Sequence, residues 1–382
     1  MLNQPSPRRI LMSADSVGGV WTYVLELARA LEATGVEVVL ATMGAPLSNE
    51  QLVDIKPIAG LRLFESSFKL EWMNDPWKEV EQAGRWLLDL EDRLQPDVVH
   101  LNGYSHAALP FHAPRIVVAH SCVLSWWRAV KGEAEPPVCD EYRSKVARGL
   151  RAADMVIAPT KAILSEIARY YGRATKSVVI PNGRDPRLFR RTHKEKIVFT
   201  AGRLWDEAKN VAALERVAPC LSWPVYMAGG RNHLDGGTAQ SKSARHLGRL
   251  SAQAMAAWLG RASIYALPAR YEPFGLSVLE AALSECALVL GDIASLRENW
   301  EGAAVFVHPD DSHALREAIE GLIRDTTRRK ALAARARFRA AEFTPERMAA
   351  YYLNAYREVM PGGLEAAPAS VICMGKNADA GT

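Results

Sequence analysis

The 382-residue chain has little that would tie it to a disulfide framework, a zinc site or a membrane span. Its five cysteines, Cys122, Cys139, Cys220, Cys286 and Cys373, are odd in number and far apart, and no C-x-x-C occurs. Neither a cystine scaffold nor a thiolate metal site is indicated, and a reducing cytoplasm is the expected setting. No apolar run approaches the ~18 residues a spanning helix needs, and the N-terminal residues hold prolines rather than an apolar core of signal-peptide length. The G-x-G-x-x-G fingerprint is absent, which excludes a tight dinucleotide grip of that kind. Charge of one sign is lacking too: 47 basic against 43 acidic residues leave a net +4, too little to make nucleic acid the main partner. That small excess is compatible with an anionic ligand or with contact to an anionic membrane face. No internal repeat or low-complexity core segment breaks the chain.

What is present is a globular composition, 49% hydrophobic and 24% charged, with length for two to three domains and two separate cores. Short apolar runs read as buried strands at 9–14, 36–42, 97–101, 115–120, 155–159 and 178–180, with helical spacing between them over 21–33, 78–94, 140–153 and 160–171. Residues 44–75 are less regular. A strand, a helix and a strand within about thirty residues imply a parallel sheet with right-handed crossovers. Residues 184–196 are polar, hold Pro186 and have no periodicity, so the linker is expected there. The alternation resumes at 197–201 and continues to a helix ending near 360, after which 361–382 reads as a disordered tail. The expected division is 1–183, the linker 184–196, 197–342, and a last helix 343–360.

One stretch organises the rest: 267–283, LPARYEPFGLSVLEAAL. A strand at 263–267 ends at Pro268, and helical spacing begins after Phe274-Gly275, with Leu276, Leu279, Ala282 and Leu283 recurring. A helix N-terminus offers unpaired N–H groups and the positive end of its dipole, and Gly275 lets an anion approach the backbone. Glu272 and Glu280 flank that start. Carboxylates do not bind phosphate; they accept hydrogen bonds from hydroxyls, and one carboxylate matches a vicinal diol. Phosphate and diols together describe a nucleotide sugar. Taken singly, either carboxylate also reads as an ordinary surface charge.

Glu272-Pro273-Phe274-Gly275-Leu276 followed by Leu279-Glu280-Ala281-Ala282 resembles the E-x7-E signature of the retaining glycosyltransferases of family 4, the glycosyl transferases group 1. The resemblance implies the GT-B fold, two Rossmann-like parallel-sheet domains facing each other across a cleft, and a nucleotide diphosphate sugar used without a catalytic metal or other cofactor. A clear D-x-D motif is absent, in keeping with that. The resemblance places Gly18 and Gly19 near the donor phosphates and the acceptor, and His120 on the transferred sugar. Arg203 and Lys209 fall on the leaving diphosphate, Glu272 on sugar hydroxyls and Glu280 on the ribose diol. Phe274, Gly275 and Leu276 form the helix start, and Gly229 and Gly230 lie near the base.

Glu298 matches a family acid. The 203–209 loop is one residue longer than the commonest spacing. The family commonly has Gly and Pro where this chain has Glu285 and Ala287, which forces a left-handed cap on a glutamate at a cost of about 1 kcal/mol. Trp126 and Trp127 beside Arg128 suit stacking on an acceptor sugar, contact with lipid, or packing between helices. The expected activity is sugar transfer to a hydroxyl acceptor on a glycan, glycolipid or small metabolite, in the cytoplasm or at the inner membrane face, with polysaccharide biosynthesis as a setting. The alternative is a noncatalytic nucleotide-sugar-binding subunit of an assembly system.

Overall fold

The computed structural model describes residues 6–16, 18–230 and 244–361. Two sheets are built entirely from parallel pairs. The first contains β1 (Arg9–Asp15), β2 (Glu37–Met43), β3 (Leu61–Glu65), β4 (Val98–Leu101), β5 (Arg115–Val118), β6 (Met155–Ala158) and β7 (Ser177–Val179), in the order β3-β2-β1-β4-β5-β6-β7. The second contains β8 (Glu195–Ala201), β9 (Val225–Ala228), β10 (Arg245–His246), β11 (Ala262–Leu267), β12 (Ala287–Gly291) and β13 (Ala304–Val307), in the order β10-β9-β8-β11-β12-β13. Each order reverses beside its first strand, at β1/β4 and at β8/β11. Such switch points leave a crevice beyond the carboxyl ends of the strands.

The strands are continuous apolar runs because helices cover both faces of each sheet. Alternate residues go to opposite cores: Ile10, Met12, Val38 and Leu40 to one, Leu11, Val39 and Ala41 to the other. In the second sheet Ile197, Phe199 and Tyr265 part in the same way from Val198, Ile264 and Ala266.

The last helix, Pro345–Val359, starts with Thr344 as N-cap and Pro at the first turn, then packs Met348, Tyr352 and Tyr356 into the core of the first sheet. It crosses the chain at Gly183, where an added Cβ would lie 2.4 Å from the Thr344 carbonyl. No other residue type fits that crossing.

Two local features differ from the sequence-based expectation. Residues 44–75 contain a helix, Asn49–Ile55, and strand β3; the helix is announced by a capping box between Ser48 and Gln51. The linker ends at 194, because β8 already includes Glu195 and Lys196. The Trp126-Trp127 segment, for which the sequence leaves both a loop and a short helix open, is helical over Val123–Lys131. Of the tail expected at 361–382, all but Pro361 lies outside the described residues. Among the described residues no helix is long and apolar enough to cross a membrane.

Candidate active site

The carboxyl ends of the two sheets face each other, and the loops following β1, β4, β5, β8 and β11 meet between them. On the first side, β1 runs into Gly18, whose φ of +79° and ψ of −146° no L-residue adopts readily, and then into the helix Gly19–Glu32. A Cβ at Gly18 would come 3.4 Å from Arg203 Nη1, and one at Gly19 3.5 Å from Leu276 Cδ1. The glycine pair therefore lies directly against the loop after β8 and the helix start after β11.

His120, just past β5, places Nε2 2.7 Å from Asn102 Oδ1, and Asn102 in turn donates from Nδ2 to the Ser13 carbonyl at 2.6 Å. With the amide nitrogen engaged, Asn102 Oδ1 is an acceptor, so the network assigns the imidazole proton to Nε2 and leaves Nδ1 as an acceptor. Burial pushes the His120 pKa down to about 3, keeping the ring neutral. The edge of Tyr23 sits 4.6 Å from it, centroid to centroid. His100, by contrast, is enclosed between Tyr23, Tyr352 and Tyr356 and belongs to the core.

On the second side, Arg203 reaches Asp206 at 2.9 Å and lies over the Trp205 ring. Lys209 ends a short 3-10 turn, Glu207–Lys209, and its Nζ meets Glu272 Oε2 at 2.5 Å. Asp206 is a residue sequence reasoning missed. Burial pushes its pKa up, but Lys209, Arg203 and hydrogen bonds from Trp126 Nε1 and the Ala208 amide hold it below the ordinary carboxylate value. It is thereby fixed as an anion behind two cations.

Gly275 is the left-handed N-cap of the helix Leu276–Leu283, φ +88°, which leaves the first N–H groups of that helix open toward the cleft. Phe274 turns its side chain into the core, edge-on to Phe343 at 5.6 Å, so only its backbone faces the helix start. Gly229 makes a turn so close to the Gly202 carbonyl that a Cβ would lie 1.7 Å from it, and Gly230 leaves room for Arg249. Glu280, on the second turn of the helix, is buried against Arg184. Arg184 was expected only as linker. The shape of an arginine gives no sequence signal for a contact 96 positions away.

The two sides are also joined at the flank. Glu298 accepts from the Lys161 and Ala162 amides at 2.8 and 3.0 Å, and the Thr160 hydroxyl donates to the Pro273 carbonyl at 3.0 Å. Tyr271 OH accepts from the Cys122 amide, and Lys131 pairs with Glu207. Trp126, through its bond to Asp206, is a contact between the two sides. Glu285 takes the left-handed conformation at φ +63°. Among the described residues no group of three or more His, Cys, Asp or Glu is arranged to hold a metal ion.

Chemically, the cleft offers two cations and open helix N–H groups for a diphosphate, and three acceptors, Glu272, Glu280 and His120 Nδ1, for hydroxyls.

Comparison with known proteins agrees along almost the whole chain. Residues 17–188 match the family described as Glycosyltransferase Family 4, and residues 195–325 match Glycosyl transferases group 1. A D-inositol 3-phosphate glycosyltransferase of Xylanimonas cellulosilytica is 25% identical over 89% of this chain and 92% of its own. A glycogen synthase of Mycobacterium tuberculosis is 25% identical over 84% and 86%. Among solved structures, a sucrose-phosphate synthase from Thermosynechococcus elongatus superposes with a TM-score of 0.76 at 19% identity, covering 92% of this chain and 98% of that one. Anabaena Alr3699/HepE in complex with UDP-glucose gives 0.72 at 17%, covering 91% and 98%.

Proposed function

The chain belongs to glycosyltransferase family 4, the glycosyl transferases group 1, and on that premise we propose that it moves a sugar from a nucleotide diphosphate sugar to an acceptor hydroxyl, with retention of anomeric configuration and without a catalytic metal. It is a glycosyltransferase with the GT-B fold. The observation that carries the donor reading is the meeting, in one cleft, of Arg203, Lys209, Glu272 and Glu280 from the second sheet with Gly18, Gly19 and His120 from the first. The structural neighbour solved with UDP-glucose supports the same donor class.

In this reading the diphosphate lies along the start of the helix Leu276–Leu283. Arg203 and Lys209 stabilise the charge that grows on it as the bond from the anomeric carbon to the phosphate oxygen breaks. Neighbouring glycines let the backbone approach, and Glu280 receives the ribose diol. Glu272 and neutral His120, through Nδ1, accept hydrogen bonds from the transferred sugar. The acceptor oxygen attacks from the face the diphosphate leaves, and its proton passes to a departing phosphate oxygen. Lys209 and Glu272, paired with each other at 2.5 Å, part onto their own targets as the donor binds.

The test is calorimetric titration of UDP, GDP and ADP without metal, with Glu280→Ala as control, followed by a donor-sugar screen and NMR of the product's anomeric proton. One nucleotide bound by the native chain and lost by the variant supports the donor site. An inverted product removes the retaining assignment.

A further inference from the structure

We propose that Arg184 is a positioning residue of the donor site: it holds the Glu280 carboxylate in place as a hydroxyl acceptor and, through Glu26, ties that carboxylate to the first sheet's side of the cleft. This rests on the reading of Glu280 as the ribose acceptor.

The geometry is a buried ionic triad assembled from three separate parts of the chain. Glu26 comes from the helix Gly19–Glu32, Arg184 from the start of the linker, and Glu280 from the helix Leu276–Leu283; they are 2%, 8% and 9% exposed. Arg184 Nη1 donates to Glu26 Oε1 at 2.5 Å, and its Nε lies 2.9 Å from Glu280 Oε1. The two contacts differ in kind. The Nη1 contact satisfies Glu26, while the Nε contact occupies one oxygen of Glu280, Oε1, and among the described residues no hydrogen bond ends on its other oxygen, Oε2. Glu280 is thus compensated in charge at one oxygen while the other stays open to accept from a hydroxyl. The guanidinium is braced over the Phe189 ring at 4.9 Å. An open hollow of about 730 Å³ between the helices Asn49–Ile55 and Ala252–Arg261 reaches Arg184, so the triad adjoins solvent at the border of the two sides.

One cation serves two carboxylates. Burial pushes both carboxyl groups up, and Arg184 pulls each back down. The other charged or titratable groups around them are Arg29 on the Glu26 helix, Asp185 and Arg187 in the linker, Tyr265 on β11 and Glu272 in the loop before the Glu280 helix. None of these replaces Arg184: Arg29 is 4.0 Å from Glu26, Arg187 is paired with Asp185 at 2.7 Å, and the rest are neutral or acidic. Two consequences of opposite sign follow. Without the guanidinium, Glu280 protonates at higher pH and stops accepting; without the charge on Glu26, the guanidinium serves Glu280 alone and keeps it ionised to lower pH.

The experiment is calorimetric titration of UDP, GDP and ADP into the full chain from about pH 5 to about pH 9, comparing the native protein with Arg184→Met, Arg184→Lys, Glu26→Gln and Glu280→Gln, with thermal melting of each. The phosphate titration of the nucleotide itself is common to all five. The acid limb of affinity is expected to move up by about one pH unit or more in Arg184→Met, to return toward native in Arg184→Lys, and to move down in Glu26→Gln. A loss of affinity in Arg184→Met that is the same at every pH, or unmoved acid limbs in both Arg184→Met and Glu26→Gln, overturns the proposal. If Arg184→Met does not fold, because it strands two buried carboxylates, the direction of the Glu26→Gln shift decides alone. Glu280→Gln with native affinity, or no nucleotide bound by the native chain, locates the failure in the donor reading itself.

Discussion

Lys209 Nζ and Glu272 Oε2 stand 2.5 Å apart with both side chains largely buried, so the cation assigned to the diphosphate and the carboxylate assigned to the sugar neutralise one another. Glu272→Gln frees the lysine. Nucleoside diphosphate is then expected to bind several-fold tighter, while sugar transfer falls by about tenfold or more through loss of the hydroxyl acceptor. The unliganded variant should melt lower, with a larger rise on adding nucleotide, because a buried ammonium has lost its partner. Calorimetry and steady-state rates read the first effect, thermal melting the second. Weaker nucleotide binding would contradict it.

His100 gives a pH dependence of stability. Burial and then the neighbouring His120 push its pKa down to about 3, while the unfolded chain titrates near the ordinary histidine value of about 6.5. Between those values the unfolded state binds the extra proton, so stability rises with pH across that window and is lost as pH falls through it, by at most about 1.4 kcal/mol per pH unit for this one group. His100→Gln should flatten the difference between urea midpoints at pH ~7 and pH ~5. An unchanged difference would assign that dependence to other groups.

Glu298 satisfies two of the amides at the start of the helix Lys161–Tyr171 from across the cleft, while Thr160 satisfies a third from within. Glu298→Ala should cost about 1 kcal/mol and loosen the closed arrangement. Small-angle scattering should show a larger radius without ligand, and the donor KM should rise more than kcat falls. Identical scattering curves for variant and native protein would rule out the latch.

Glu285 holds φ +63° at the end of the Leu276–Leu283 helix. Glu285→Gly exchanges the strain of a left-handed glutamate for the entropy loss of a glycine, with an expected net gain of roughly 0.5–1 kcal/mol. Its exposed pair with Arg191, at 3.4 Å, contributes little against that. The melting temperature should rise and the transfer rate stay as it was; a lower melting temperature would show that the pair outweighs the strain.

The sequence by itself determined the two-sheet fold and the strand, loop and helix around Glu272 and Gly275. Apolar runs bounded by Gly, Pro and capping residues are local codes, satisfied within a few residues of where they are written. The capping box at Ser48 and Gln51 is a local code of the same kind, but it sits in a stretch whose weak apolar pattern gave no helix. The tertiary structure alone decided the partners: Lys209 with Glu272, Asn102 as the group that sets the His120 tautomer, Asp206 behind Arg203, and Arg184 between Glu26 and Glu280. These side chains are charged or polar and carry no period. Their pairing depends on which strand ends the two switch points bring together and on the closing of one sheet's loops over the other's. Arg184 and Glu26 are 158 residues apart in the chain, and only burial, which makes an unpaired charge untenable, joins them.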